Sequence, residues 1–262
     1  MTDLATTPAP SAATAHSWQP PAGIAPRGTL VVLPGRGEHG LVYERFGRRL
    51  SADGYIVHAL DTTPEHDPDA VLTAAAEAAG PDPVAPVVLA GSDTGALQAL
   101  QTAAATDADH LTLDGLVLAG TAPTTGTGPA GADTDTASDW DAELNARTAC
   151  PTHRQKLTSD PAFARGRLTG PVPHHLLTDA LPDLPILVLH GAADPLTPLE
   201  QARALAHRLP RATFGVLHEG LHDVLNDASH RTTAAAVVQW LERLRADAEL
   251  RPILTIEPLK QG

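Results

Sequence analysis

The sequence predicts an α/β fold in which a mainly parallel sheet carries helices on both faces. Short apolar runs, of the length of buried strands, alternate with helix-compatible segments through most of the chain. This alternation is typical of parallel strands joined by crossover helices. The chain has 262 residues, 42% of them hydrophobic, which is enough to bury one large core. We therefore expect a single domain.

The apolar runs predict six strands, and the segments between them predict five helices. The run at residues 84–90 is fully apolar, and the small residues at 94–105 are compatible with a helix. The predicted strands are residues 29–33, 55–60, 84–90, 113–119, 185–189 and 213–217. The predicted helices are residues 43–50, 68–79, 94–105, 198–209 and 223–248. Because sites in such sheets lie beyond the carboxyl ends of the strands, we expect a functional site in the loops that follow them.

Two terminal segments lie outside this core, which comprises residues 27–121 and 183–250. Residues 1–26 are rich in Ala, Thr, Ser and Pro and show no periodicity. We predict that they form a flexible leader, with a short edge strand near residues 17–19. Residues 251–262 are predicted to form a C-terminal tail.

Residues 122–182 break the alternation and are interpreted as an insertion. They contain a stretch rich in Gly, Thr, Pro and Asp, helical character at residues 140–148 and further short helical pieces. Because the insertion leaves from the strand end that faces the expected site, it can fold over that site as a small helical lid and exclude water. A disordered surface excursion fits residues 122–137 better than it fits residues 138–180.

The composition excludes several classes of partner. The net charge is -13 and the chain has only two lysines, Lys156 and Lys260, whereas nucleic acids and anionic membranes require a basic face. The single cysteine, Cys150, excludes an internal disulfide framework. The N-terminus lacks both regions of a secretion signal, and no segment approaches about 20 consecutive apolar residues. We expect a soluble, cytoplasmic monomer or homodimer that acts on a small molecule.

The most informative motif is Gly-Ser-Asp-Thr-Gly at residues 91–95, between a predicted strand and a predicted helix. A sharp strand-to-helix turn needs small residues two positions before and two positions after its central residue, because its strained backbone leaves no room for side chains. Gly91 and Gly95 satisfy this requirement for Asp93. We therefore interpret Asp93 as the central residue of a nucleophile elbow.

Two alternatives stay open for this turn. Serine is the commoner nucleophile, but with Ser92 at the centre the flanking residues would be Ala90 and Thr94, and a β-branched residue fits badly there. An ordinary strand-to-helix loop, in which Ser92 or Asp93 caps the helix, would also carry these residue types. The rest of the chain favours the functional interpretation of Asp93.

Three further segments carry a resemblance to a known family. They are Pro-Gly-Arg-Gly-Glu-His at residues 34–39, Leu-His-Gly-Ala-Ala-Asp-Pro-Leu-Thr-Pro at 189–198, and Gly-Leu-His-Asp-Val-Leu-Asn-Asp at 220–227. Over roughly residues 28–245 the chain resembles the α/β-hydrolase fold family, and most of all its monoacylglycerol lipase and lysophospholipase branch. The first segment resembles the His-Gly-x-Gly-Glu-His loop of that branch, with proline in place of the first histidine.

The resemblance implies a catalytic triad in the chain order nucleophile, acid, histidine. Asp93 would be the nucleophile, Asp194 the orienting acid and His222 the base. Asp194 would accept a hydrogen bond from His222 and stabilise its imidazolium form. The alternative role for Asp194 is a helix cap before residues 195–198, and the alternative histidine is His218, which falls within the preceding strand.

The resemblance also implies an oxyanion hole, formed by the backbone N–H groups of Arg36 and Thr94. The Arg36 side chain could meet an anionic substrate group, but we expect it to face solvent. Cys150 and His153 lie three residues apart without the further ligands that a metal requires, so neither a metal nor an organic cofactor is expected. The candidates for substrate binding are Gly35, Trp140, His153 and Arg154.

Asp93 departs from the lipase branch, which carries serine at the elbow, and is similar to the aspartate of epoxide hydrolases and haloalkane dehalogenases. An ionised carboxylate can attack an sp³ carbon directly and give an ester, which water activated by His222 then hydrolyses. Epoxide hydrolases use lid tyrosines, and neither tyrosine of this chain lies in the predicted lid. Dehalogenases hold the halide with tryptophan or cationic groups, for which Trp140 and Arg154 are candidates.

The sequence thus predicts an enzyme, a hydrolase that acts on a small or medium organic molecule through a covalent intermediate on Asp93. Two other classes of function stay open. Asp93 and His222 could act as a noncovalent acid and base pair in an elimination, cyclisation or isomerisation. The chain could also be a catalytically silent protein of the same fold that binds small molecules.

Overall fold

The computed structural model describes residues 14–105, 111–124 and 137–256. The strands are β1 (Ala15–Trp18), β2 (Gly28–Leu33), β3 (Tyr55–Leu60), β4 (Val87–Asp93), β5 (Gly115–Thr121), β6 (Ile186–Gly191) and β7 (Ala212–Leu217). The helices are α1 (Glu44–Ala52), α2 (Pro68–Ala79), α3 (Thr94–Ala105), α4 (Ala137–Arg147), α5 (Pro151–Ser159), α6 (Leu199–Arg208) and α7 (His230–Ala246). Short 3₁₀ helices lie at Gly40–Tyr43 and His174–Leu176. Residues 1–13 of the predicted leader, 125–136 of the predicted lid and 257–262 of the predicted tail lie outside the described residues.

The strands form one sheet in the order β1-β3-β2-β4-β5-β6-β7. Every pairing is parallel except that of β1 with β3, so the predicted mainly parallel sheet is confirmed. The central strand, β4, runs to Asp93 rather than ending at residue 90 as predicted. Asp93 is therefore the last residue of the middle strand. It lies at the carboxyl edge of the sheet, where the functional groups of such folds are found.

Helices cover both faces of the sheet, as predicted. On one face α1 and α7 bury residues such as Phe46 and Trp240 against the strands. On the other face α2, α3 and α6 bury a second cluster that includes Leu100. Leu157 and Phe163, from the 122–182 insertion, join the first cluster. Within the described ranges, no helix is long and apolar enough to cross a membrane.

The helix predicted at residues 223–248 was wrong at its start, because α7 begins at His230. The residues before it are held against the insertion instead. The backbone N–H of Asp223 donates to the carbonyl oxygen of Arg147, at the end of α4, at 2.8 Å. Within the segment the N–H of Asn226 donates to the carbonyl oxygen of Asp223 at 2.8 Å, a turn rather than a helical bond. The apolar pattern of the segment is therefore satisfied by turns that dock against α4.

Candidate active site

The elbow at the end of β4 depends on two glycines. Asp93 has a φ of 53°, in the left-handed region that a residue with a side chain adopts only at an energetic cost. A Cβ on Gly91 would lie 2.1 Å from the carbonyl oxygen of Gly95, and one on Gly95 would lie 2.4 Å from that of Leu33. Neither position has room for a side chain, so the chain can turn sharply from β4 into α3 with Asp93 at the turn.

The side chains of Ser92 and Asp93 face different partners. Ser92 is buried, and its hydroxyl contacts Tyr43. Asp93 Oδ1 lies 3.2 Å from Nε2 of His222. Of the two residues considered for the centre of the elbow, it is therefore Asp93 that lies opposite the histidine.

His222 bridges two carboxylates. Its Nε2 faces Asp93, and its Nδ1 lies 2.8 Å from Oδ2 of Asp194. The other oxygen of Asp194 accepts the backbone N–H groups of Leu196 and Thr197 at 2.8 and 3.2 Å. Asp194 thus does both of the things that the sequence allowed, since one oxygen orients His222 and the other caps the turn that follows.

Arg36 clamps Asp93, and this corrects the expectation that its side chain faces solvent. Arg36 is 6% exposed. Its Nε and Nη2 donate to the two carboxylate oxygens of Asp93 at 2.8 and 2.7 Å, and its backbone N–H donates to Oδ2 at 2.8 Å. Its Nη1 donates to the carbonyl oxygen of Gly170 at 2.6 Å. This arrangement prevails over solvent exposure because a guanidinium and a carboxylate form a geometrically matched pair of charge-assisted hydrogen bonds.

We call Arg36, Asp93, Asp194 and His222 the Asp93 cluster. Burial alone would raise the pKa of Asp93, but Arg36 and His222 outweigh burial and hold that pKa well below its usual range. Burial would lower the pKa of His222, but the two carboxylates raise it to about 10. At neutral pH the cluster therefore sets two carboxylates against one guanidinium and one imidazolium, and its charges balance.

His190, which the sequence reasoning missed, lies behind Asp194. It is fully buried, and its Nε2 donates to the carbonyl oxygen of Thr197 at 2.8 Å. The same nitrogen lies 3.4 Å from Oδ2 of Asp194. Burial lowers the pKa of His190, so the ring is neutral and supports the turn that holds Asp194. Its position in the motif at residues 189–198 was the available signal.

A second buried group of charges, which we call the Arg147 cluster, surrounds the fully buried side chain of Arg147 on α4. The guanidinium lies 2.9 Å from Glu143, 3.4 Å from Asp223 and 3.6 Å from Glu38. The fifth member, His153, has its Nε2 3.3 Å from Asp223. Sequence reasoning missed this cluster because only Glu143 lies near Arg147 in sequence, four residues before it on α4. The other members reach Arg147 only through tertiary packing.

Three members of the Arg147 cluster offer ligand atoms that a metal could use. Atoms of Glu38, His153 and Asp223 all lie within 4.8 Å of one another. Arg147 already faces both of these carboxylates, and the hydroxyl of Tyr43 donates to Glu38. A guanidinium therefore serves as the counter-ion, and the group is an ion-pair network.

The two clusters meet at the backbone of Gly35 and Arg36. Nη2 of Arg147 donates to the carbonyl oxygen of Arg36 at 2.6 Å, and Glu38 accepts the backbone N–H of Gly35 at 2.9 Å. Both contacts fix the loop at residues 34–39. The Arg147 cluster thus holds the peptides on both sides of the one whose N–H faces Asp93.

A cavity of about 460 Å³ opens beside Arg36. Its walls are residues 35–38, residues 62–65 and part of the insertion at residues 162–173. Asp93 is 1% exposed and lies behind the Arg36 side chain.

Thr94, the first residue of α3, has its hydroxyl 3.5 Å from Oδ2 of Asp93. Gly35, Arg36 and Thr94 are therefore brought together with Asp93.

The other predicted substrate contacts lie in the packing of the insertion. Trp140 packs against Phe163 with ring centroids 5.6 Å apart. Arg154 donates to Oδ1 of Asn145 at 2.9 Å. In the part of the chain that the structure describes, Trp140, His153 and Arg154 make no hydrogen bond to Asp93 and do not line the cavity beside Arg36.

Comparisons with known proteins support the fold. A family model described as TAP-like protein matches residues 164–250, and no curated protein matches the sequence. The monoacylglycerol lipase of Paleococcus ferrophilus is 19% identical, with a TM-score of 0.64 over 87% of this chain and 98% of that one. A soluble variant of the Saccharomyces cerevisiae monoglyceride lipase is 15% identical, with a TM-score of 0.69 over 93% and 98%. The enol-lactonase of Burkholderia xenovorans is 18% identical, with a TM-score of 0.64 over 88% and 96%. At these identities the likeness is one of fold, and the predicted fold is confirmed.

Proposed function

The chain has the α/β-hydrolase fold, and on that premise we propose that it is a hydrolase whose nucleophile is the Asp93 carboxylate. One observation carries the proposal, the arrangement of groups around this carboxylate at the elbow. Oδ2 accepts the Arg36 N–H, and Oδ1 faces His222, which Asp194 supports. Nucleophilic catalysis needs such a set of groups, namely a nucleophile, a histidine with its orienting acid, and a donor for a developing oxyanion.

In the first step Oδ1 of Asp93 attacks a saturated carbon of the substrate. A C–O bond forms as the bond from that carbon to the leaving group breaks, and the leaving group takes the electron pair. The low pKa of Asp93 keeps the carboxylate ionised, so the attack needs no base. Haloalkanes and epoxides are electrophiles of this class, whereas attack on an ordinary ester would give an anhydride, which is poorly suited as an intermediate.

In the second step water attacks the carboxyl carbon of the Asp93 ester, and Nε2 of His222 accepts the proton. The ester bond breaks, His222 returns the proton to the departing oxygen, and the product leaves as an alcohol. The carboxyl group of Asp93 then gives the second proton of the water to His222, so Asp93 regains its carboxylate and His222 its imidazolium form. The Arg36 N–H stabilises the oxyanion that forms in between. Before this step the His222 imidazolium must lose a proton, either to solvent or to the leaving group of the first step. Esterification favours that loss because it removes the charge of Asp93, which is one of the causes of the raised pKa of His222.

A second candidate function is noncovalent acid and base catalysis. The pKa of His222 is raised to about 10, so the imidazole carries a proton that it can donate to a substrate at neutral pH. Asp93 would then accept or relay a proton instead of forming a bond to carbon. This candidate predicts turnover without a covalent adduct.

The test is intact-protein mass spectrometry of a His222→Ala variant, incubated separately with panels of epoxides, haloalkanes, lactones and esters. Without the base the second step stops, so the ester should accumulate. We expect one panel to add the mass of the transferred group, and peptide mapping to place that group on Asp93. The double variant His222→Ala with Asp93→Asn is the matched control and should stay unmodified.

Two outcomes of the trapping experiment would count against a nucleophilic Asp93. An adduct on Ser92 would show that the neighbouring residue is the nucleophile. A folded His222→Ala variant that binds a substrate of the wild-type enzyme but forms no adduct would favour acid and base catalysis.

A further inference from the structure

The cavity beside Arg36 is separated from the Asp93 cluster by the side chain of Arg36 itself. Arg36 lines the cavity, and its guanidinium contacts both carboxylate oxygens of Asp93. Asp93 is 1% exposed and His222 is fully buried. A molecule in the cavity therefore reaches Asp93 only after the guanidinium has moved.

Two polar groups of the cavity wall lack partners within the described ranges. Thr62 is 2% exposed, and its hydroxyl has no hydrogen-bond partner there. Arg167 is exposed and makes no ion pair with another described residue. A buried hydroxyl without a partner carries a desolvation penalty, so a ligand atom beside Thr62 would be favoured. A free guanidinium on the same wall favours a negative charge.

Two acidic residues also line the cavity, and neither opposes an anion strongly. Glu38 already accepts hydrogen bonds from Tyr43 and from the N–H of Gly35. The pKa of the Glu38 carboxyl is raised, and burial is the largest cause. Glu65 is exposed, where water and salt screen its charge. Arg36 and Arg167 therefore make the cavity favour a negatively charged ligand.

The present partner of Arg36 indicates the ligand chemistry that its guanidinium accepts. Nε and Nη2 hold the Asp93 carboxylate through two parallel hydrogen bonds, and a ligand carboxylate would offer the same geometry. During such an exchange Asp93 would keep the Arg36 N–H at 2.8 Å and His222 at 3.2 Å. The exchange frees Oδ1 from Nη2, and Oδ1 is the oxygen that attacks in the proposed mechanism.

We propose that the cavity binds the carboxylate of an anionic organic substrate, and that this carboxylate takes the Arg36 guanidinium from Asp93 and so exposes the nucleophile. The exposure of a nucleophile rests on the proposed function, whereas the binding of a carboxylate does not. Arg36 is in this role a gate that an anion opens, and a neutral molecule of the same shape reaches Asp93 at least about tenfold more slowly.

Binding is tested by calorimetry at neutral pH with short aliphatic carboxylates, their primary amides and inorganic phosphate. We expect the carboxylates to bind at least about tenfold more tightly than the amides, because only they can replace Asp93 as the partner of Arg36. Arg36→Lys, which keeps the charge but loses the planar fork, and Arg167→Met should each weaken binding about tenfold. Thr62→Val should weaken it severalfold.

The matched control for binding is Arg165→Met, since Arg165 lies on the same segment and stacks over the Trp140 ring at 4.7 Å. This variant should retain the affinity of the wild type. Equal affinity for carboxylates and amides, or full affinity in Arg36→Lys, would overturn the proposal. Phosphate that binds more tightly than every carboxylate would overturn the assignment of the ligand class.

Gating is tested by trapping in the His222→Ala background with a 2-bromoalkanoate and the matching 2-bromoalkanamide. We expect the acid to alkylate Asp93 at least about tenfold faster than the amide, and Arg36→Lys to remove that preference. An amide that reacts as fast as the acid would refute the gate and leave Asp93 as the nucleophile. Carboxylates that bind while no electrophile of any panel forms an adduct would refute the covalent mechanism and leave the anion site in place.

Discussion

Arg36 pairs with one buried carboxylate and Arg147 faces three, and the two arginines also differ in exposure. Arg36 is 6% exposed and lines a cavity, whereas Arg147 is fully buried with its guanidinium 5.0 Å from the centre of the Phe163 ring. The Asp93 cluster sets two carboxylates against a guanidinium and an imidazolium. The Arg147 cluster sets three carboxylates against one permanent cation.

Because of this difference, Arg36 can exchange its carboxylate partner, whereas Arg147 cannot. Buried charges are tolerated only while each is paired and hydrogen-bonded. If Arg147 leaves, Glu38, Glu143 and Asp223 lose the cation they share. If the Arg36 side chain turns into the cavity, Asp93 still faces His222 and the Arg36 N–H. We infer that the Arg147 cluster supplies rigidity and that the Asp93 cluster can react.

The largest difference should appear between Asp93→Asn and Asp223→Asn, one carboxylate from each cluster. Removing the nucleophile should lower kcat/KM by about 10⁴-fold or more, equivalent to about 5.5 kcal/mol of activation free energy. Asp223→Asn should lose no more than about tenfold, since Asp223 acts only through packing and ion pairs. Steady-state kinetics on the substrate class found by trapping would measure both, and equal losses would remove the functional distinction between the clusters.

The next largest effect concerns stability. Arg147→Met should lower the free energy of unfolding by about 3 to 5 kcal/mol, because it leaves three buried carboxylates without their arginine. Arg36→Met should lower it by less, since His222 and a backbone N–H stay with Asp93 and water can enter from the cavity. Urea unfolding of the two variants at pH 7 gives the comparison. A greater loss in Arg36→Met would reverse the assignment of the rigid and the exchangeable cluster.

A smaller effect should appear in the titration of His222. Its pKa in the folded protein, about 10, lies above the ordinary value of 6.5. Protonated His222 therefore stabilises the fold fully below about pH 6.5, and this contribution is lost as the pH rises through about 10. Asp194→Asn removes the carboxylate with the largest share in the shift and should lower the pKa by about 1 to 3 units.

NMR titration of the His222 ring in the wild type and in Asp194→Asn measures this pKa shift. Asp223→Asn is the matched control, because Asp223 belongs to the Arg147 cluster and pairs with His153 instead. The His222 pKa should change little in that variant. An equal fall in both variants would mean that the two clusters titrate as one.

The elbow was predictable because its requirement is local. Two glycines at fixed distances from Asp93 are visible in the sequence, and the close approaches at Gly91 and Gly95 explain why they are there. The pairing of Asp194 with His222 was predictable because the segments at residues 189–198 and 220–227 resemble α/β-hydrolase motifs. The strands were found because buried parallel strands are continuous apolar runs.

The direction of the Arg36 side chain was not predictable from its neighbours in sequence. It depends on Asp93, 57 residues away, and on the carbonyl oxygen of Gly170, 134 residues away. The Arg147 cluster and the late start of α7 have the same origin, because both follow from the docking of α4 against the loop that carries His222. Apart from the helical spacing of Glu143 and Arg147, contacts of this kind leave no periodic or motif signal in the sequence.

The most direct test of Asp93 as nucleophile is oxygen labelling of the wild-type enzyme in H₂¹⁸O with the electrophile identified by trapping. If Asp93 attacks the substrate, the alcohol from a single turnover carries the unlabelled oxygen of Asp93. After many turnovers ¹⁸O then appears in the peptide that contains Asp93. If the alcohol of the first turnover carries ¹⁸O and the Asp93 peptide stays unlabelled, water attacks the substrate directly and Asp93 is not the nucleophile.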